Sequence, residues 1–323
     1  MLSFICSWKK VTPPITLFVT LMLLSMGIFA SDNDATRKIN QVIQQKLDFY
    51  NQTFPEIQFV HLKNGEWQKS LQALELFIGY QATNLDYEHP ADLRETLLFA
   101  TIDKIRMMLV NGIPSSYLFK VGEIPAATRK HVCVITFNPI KNVSSNRVAT
   151  QSFIDLPENV VTSVPEEKYL DKEQHLDFII DHEAFHCVDT FHFGGIPMSE
   201  NAFSTQHTCF MRESQADMFA IAMHIKRQRK ITPYVNNIVM IRGMTLLNGE
   251  CQHNSTEAIQ LFTSTNIEEI ISSSPGDLLS KVKNDYKAIA PGYHEFVTYM
   301  KASIEAMKQL GIEPIEMISS LSN

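Results

Sequence analysis

His182-Glu183-Ala184-Phe185-His186 is the stretch of this chain whose residue types and spacing most directly suggest chemistry. On a helix, positions four apart lie one turn from each other on one face, so two imidazoles can converge on one metal ion. Glu183 sits beside that face, where its carboxylate can act as a base toward an attacking water. Two histidines are only part of a ligand set, because zinc with an open position takes three protein ligands. The pattern therefore requires a helix through 182–186 and a second element that brings the third ligand.

Two positions compete for that role. His192 stands six residues after His186, a spacing close to the metzincin pattern. That pattern has a glycine where this chain has Asp189; the glycine ends the helix and turns the chain back toward the metal. Here the strong stop signal is Gly194-Gly195, beyond His192. A helix continuing to that point puts His192 roughly 120° away from His186 and about 9 Å further along the axis, out of reach of a shared ion. The other candidate is Glu213, in Arg212-Glu213-Ser214-Gln215-Ala216-Asp217. A carboxylate is an acceptable third zinc ligand beside two histidines. Asp217 follows one turn later, where it can accept the free N–H of a ligand histidine and fix its tautomer. Ala216 is small enough for two helices to approach closely. Phe219, Ala220, Ile221, Ala222 and Met223 make the helix broadly apolar, so a carboxylate pair within it needs a partner.

His182-Glu183-x-x-His186 followed by Glu213-x-x-Ala216-Asp217 resembles the gluzincin metallopeptidases. The resemblance covers residues 182–217 in two blocks, and the rest of the chain matches no family pattern. It implies a zincin core, in which an active-site helix packs beside a small sheet and a second helix bears the third ligand. It implies His182, His186 and Glu213 on Zn2+, Glu183 as general base, Asp217 behind a ligand histidine, and a protein or peptide as substrate. The alternatives are a zincin-fold binding protein without activity and a metzincin-like site that uses His192. A donor for the developing oxyanion is also needed. The candidates are Tyr234, His253, Tyr293, His294 and Tyr299; Tyr293 and His294 follow a Pro291-Gly292 turn that can present them. His224 lies about three turns beyond Glu213, too far to be a ligand. His207 precedes that helix and is expected in a loop.

The chain has 323 residues, 45% hydrophobic and 20% charged, with a formal charge of −7. An acidic chain without basic tracts argues against nucleic acid and anionic membrane surfaces as partners. Lys9 and Lys10 precede an apolar run from Ile15 to Ala30, and the sequence then turns polar at Ser31-Asp32-Asn33-Asp34. This reads as a secretory signal over 1–30, with an uncleaved anchor at 15–30 as the alternative. Export to a secreted or periplasmic location leaves Cys133, Cys187, Cys209 and Cys251 in an oxidising compartment. Cys187–Cys209 is the expected pair, because the zinc arrangement brings those two segments together.

The periodicity predicts a helix over 31–53, a short strand at Ile57–Val60, and helices over Gln68–Tyr80 and Ala91–Val110. Val132–Phe137 and Arg147–Leu156 read as strands. Pro165-Glu166-Glu167 is expected to open the helix that carries His182, and Gly194 to close it. Further helices are expected over Phe210–Arg229, from Pro233 to about Leu247, and over 256–271, 276–289 and 292–311. The fold class is α+β, with a mostly helical region at 31–125 and a zincin domain with a helical C-terminal lobe at 126–323.

Overall fold

The computed structural model describes residues 34–62, 111–120, 131–153, 164–194, 202–245, 255–264 and 267–288, with a few single positions between and beyond them. They form an α+β arrangement in which a small sheet lies against a mainly helical body. Helix α1 (Asp34–Thr53) leads into strand β1 (Ile57–Leu62). Strands β2 (Ser115–Lys120) and β3 (His131–Thr136) complete a three-stranded sheet of order β1-β3-β2. β3 is parallel to β1 and antiparallel to β2. Then follow α2 (Pro139–Val143), α3 (Asn146–Phe153), a 3-10 turn at Glu166–Lys168, α4 (Lys172–Phe193) and α5 (Ala202–Gln228). The described chain ends with α6 (Pro233–Thr245), α7 (Thr256–Thr263), α8 (Ile267–Ser272) and a helical stretch, α9, over 275–288.

The register decides which side chains meet α4. Ser116 pairs with Ile135 and Leu118 with Cys133, while Phe59 pairs with Cys133 from the other side. Paired residues point to the same side of a sheet and alternate residues share a face. Ser116, Leu118, Cys133, Ile135 and Phe59 thus form one face, and α1 and α4 pack on it. Phe59 stacks at an angle on Tyr50 of α1, and His131 meets Phe191 of α4 edge-on.

Helix α4 is buried around nearly its whole circumference from His175 to Asp189. Each acidic residue buried along it has its own partners. Asp181 is bound by Lys46, Tyr50 and Arg227. Asp189 is bound by Lys283, which also lies over the ring of Phe193. Asp171 caps the helix, accepting hydrogen bonds from the Glu173 and Gln174 backbone N–H groups. Gly194 closes it in the left-handed conformation at φ 72°, donating its N–H to the Asp189 carbonyl.

Several expectations need correction. Residues 146–153 are helical and do not form a strand. Ser145 accepts at the start of α3 from Val148 N–H, and Ala149 and Phe153, one turn apart, face the core. The Pro165 signal makes only the 3-10 turn, because Asp171 is a stronger helix start. α5 begins at Ala202, two turns before Phe210. The segment 256–271 is two helices, broken at Ser264. The predicted helices over 68–80 and 91–110 fall largely outside the described residues, as do 1–30 and most of 292–311. Among the described residues no helix is long and apolar enough to cross a membrane.

Among the described residues Cys133 and Cys187 form a disulfide, so the expected Cys187–Cys209 pair is wrong. The reason is helical phase. Cys187 lies one turn after Glu183 and looks toward the sheet, whereas His182 and His186 look toward α5. The bridge ties the helix to the central strand at the position next to His186, with both sulfurs buried. Its ends are 54 residues apart in sequence, so replacing both cysteines by alanine should cost roughly 2–4 kcal/mol in urea unfolding. A loss well under 1 kcal/mol would mean that packing alone holds the helix to the strand.

Candidate metal centre

α4 and α5 lie side by side, and their facing residues form the site. His182 Nε2 is 3.2 Å from His186 Nε2 and 3.1 Å from Glu213 Oε2, and His186 Nε2 is 3.5 Å from Glu213 Oε1. These three residues form a cluster that can hold a metal ion. Their spacing fits that role. With bonds near 2.0–2.1 Å, the edge of a tetrahedral ligand set is about 3.3 Å. The observed separations fall on either side of that value, and two imidazoles with a carboxylate suit a first-row divalent ion. His182 is buried, while the Glu213 side chain is 23% exposed, so the cluster opens toward solvent on the Glu213 side.

Asp217 stands behind His182, as expected from its place one turn after Glu213. His182 Nδ1–H donates to Asp217 Oδ1 at 2.8 Å, which fixes the tautomer and leaves Nε2 facing the cluster. Burial alone would push the His182 value down. Hydrogen bonds to Asp217 and Glu213 outweigh it and raise it to about 10. A metal ion at Nε2 would take the place of that proton. Burial disfavours the Asp217 carboxylate, but Arg242 and His182 hold it at about 2. Glu213 is likewise held well below the ordinary range, because the two histidines outweigh its burial. Among the described residues His186 Nδ1 has no hydrogen-bond partner, so the support is one-sided.

Glu183 is 4% exposed and points to the sheet side of the cluster. Ser116 Oγ on β2 donates to Glu183 Oε2 at 2.8 Å. Burial is the largest influence on Glu183 and pushes its carboxyl up, against the pull of His182 and His186. Ser116 escaped the sequence reading. β2 opens with two serines after Pro114 and carries no alternation strong enough to mark a strand.

His192 is not in the cluster. α4 runs straight through Asp189 to Phe193, and the His192 ring lies among Phe54, Phe191 and Phe193. Asp189 is an ordinary helical residue engaged with Lys283, so the chain has no turn there to bring His192 back. His224 is buried beside Tyr234 and pairs with Thr232 Oγ1 at 2.8 Å, away from the cluster. Tyr234 is buried against His175, its hydroxyl 3.2 Å from Nδ1, and belongs to the packing behind α4. Tyr293, His294, His253 and Tyr299 lie outside the described residues, as do the side chains of His207 and Cys209.

No protein-family model, curated protein or solved structure matches the chain.

Proposed function

We propose that this protein is a zinc-dependent metallopeptidase of the gluzincin type, with a zincin-like fold, acting on proteins or peptides in a secreted or periplasmic setting. The observation that carries the reading is the constellation around one point: His182, His186 and Glu213 at tetrahedral-edge spacing, Asp217 behind His182, and Glu183 alongside. Zinc, when bound, supplies a Lewis acid that makes water a nucleophile near neutral pH and polarises a carbonyl. His182, His186 and Glu213 would hold it, and one side of the cluster stays open for substrate. Glu183 takes the proton of the attacking water and then gives it to the leaving amine. Ser116 occupies Glu183 Oε2, which leaves Oε1 for that proton. Burial raises the affinity of Glu183 for a proton, which suits a group that must both take and return one. Tyr293 or His294 is proposed as the oxyanion donor from sequence position. The buried Cys133–Cys187 bridge supports an oxidising compartment.

The test is metal analysis of the purified protein together with cleavage of a mixed peptide library. About one equivalent of zinc is expected. Cleavage should stop on chelation and return on adding zinc. Zinc bound without cleavage of any peptide favours a zincin-type binding protein. Cleavage that persists in full after complete metal removal sinks the proposal.

A further inference from the structure

Asp217 is gripped by more than its histidine. Arg242, on α6, donates Nε–H to Oδ2 at 2.7 Å and Nη2–H to Oδ1 at 2.9 Å. Ser255 donates its hydroxyl to Oδ2. Together with His182, four donors surround the two oxygens of a fully buried carboxylate. Arg242 is itself fixed from the far side. It lies 3.8 Å from the centroid of the Phe153 ring and gives Nη1–H to the Phe153 carbonyl at 3.3 Å. A two-pronged guanidinium contact sets the plane of a carboxylate as well as its position. That plane determines where Oδ1 meets His182 Nδ1, and so where His182 Nε2 points.

Ser255 adds a second, independent sign. It is the N-cap residue of α7, and an N-cap serine ordinarily accepts from the backbone N–H groups of the first turn. Here the side chain makes no capping bond, and the hydroxyl goes to Asp217. A locally favourable contact has been given up for one with the carboxylate behind the metal ligand.

We infer that Arg242 and Ser255 are positioning residues of the metal centre: through Asp217 they set the orientation of His182, and with it the affinity and ligand field of the bound ion. The inference rests on the metal-site reading of His182, His186 and Glu213. It makes the helices after the ligand helix part of the metal site's frame.

The experiment measures equilibrium Zn2+ affinity of the full chain by competition with a chromophoric chelator, and the visible absorption of the Co2+-loaded protein. R242K keeps the positive charge but loses the fork, and S255A removes a single hydroxyl. Thermal unfolding of the metal-free proteins is recorded alongside, to separate folding from metal binding. R242K should weaken Zn2+ binding by about 10- to 100-fold, in line with losses of groups that orient metal-bound histidines. S255A should weaken it several-fold and shift the Co2+ bands, and S255T should restore both. If the wild type binds Zn2+ while folded R242K and S255A match its affinity and Co2+ spectrum, the inference is overturned and the metal site stands. A wild type that binds neither ion overturns both.

Discussion

On the proposed metallopeptidase reading, Glu183→Gln should leave the metal in place and reduce peptide hydrolysis by about 10²- to 10⁴-fold, the usual contribution of a positioned general base. Glutamine has the same shape as glutamate, and its amide oxygen can still accept the Ser116 hydroxyl that now donates to Oε2 at 2.8 Å. The substitution therefore removes the base without removing the side chain's place in the packing. None of the three ligand side chains is altered, so zinc stoichiometry should match the wild type. The readouts are zinc content by elemental analysis and initial rates on the peptides the wild type cleaves. Unchanged rates would rule out Glu183 as the base. Lost rates with lost zinc would mean that Glu183 supports the ligands and would leave its role in proton transfer open.

The cluster of His182, His186 and Glu213 was legible because its parts have a fixed helical phase. Residues 182 and 186 share a face, as do 213 and 217, and the apolar run 219–223 implied that the second pair is buried and needs a partner. The stop at Gly194 was also legible, and it weighs against His192 for the reason the structure gives: a helix that does not turn at 189. The phase of Cys187 was equally available. It lies one turn from Glu183, on the sheet side, so the approach of α4 and α5 at His182 and His186 does not bring Cys187 to Cys209. Ser116 carried no local sign, since a strand of only six residues beginning with two serines is specified by its pairing with β3. Residues 147–156 alternate loosely and stop at Pro157, which suggests a strand. The Ser145 cap and the one-turn spacing of Ala149 and Phe153 decide for a helix. Arg242 did leave a trace. A lone arginine within Ile238-Val239-Met240-Ile241-Arg242 has to find a buried acid, and the acid is Asp217, 25 residues earlier in the chain.

The same logic of compensation governs Asp181, whose loss should be the most damaging single change to the fold outside the site. It is fully buried one residue before His182, and three groups from two other helices converge on it. Lys46 Nζ lies 2.9 Å from Oδ1, the Tyr50 hydroxyl donates to Oδ1 at 2.6 Å, and Arg227 donates to Oδ2 at 2.6 Å. Asp181→Ala would leave the buried Lys46 ammonium and the part-buried Arg227 guanidinium with only the more exposed Asp177 carboxylate between them, at 3.5 Å and 3.3 Å. Breaking a buried pair from one side costs about 3–5 kcal/mol. Urea unfolding checks the figure, and a loss below about 1 kcal/mol would mean that water already screens the network. Replacing the fully buried members by apolar residues, with Lys46→Met, Tyr50→Phe and Asp181→Leu together, should cost less than Asp181→Ala, because no charge on Lys46 is then left behind and Arg227 keeps Asp177. The acid limb gives an independent check. Burial opposes the Asp181 carboxylate, but Arg227 and Lys46 overcome it and hold its value below the ordinary 3.8. A carboxyl depressed by folding stabilises fully above its unfolded value, and the contribution fades as pH falls toward the folded one. The stability gap between wild type and Asp181→Asn should therefore be constant near neutrality and narrow as the pH falls from about 5 into the acid range. A gap that stays flat across that range would show that the hydroxyl and shape of the site matter more than the charge. Because Asp181 fixes α4 to α1 and α5 beside His182, zinc affinity should fall with stability in Asp181→Ala.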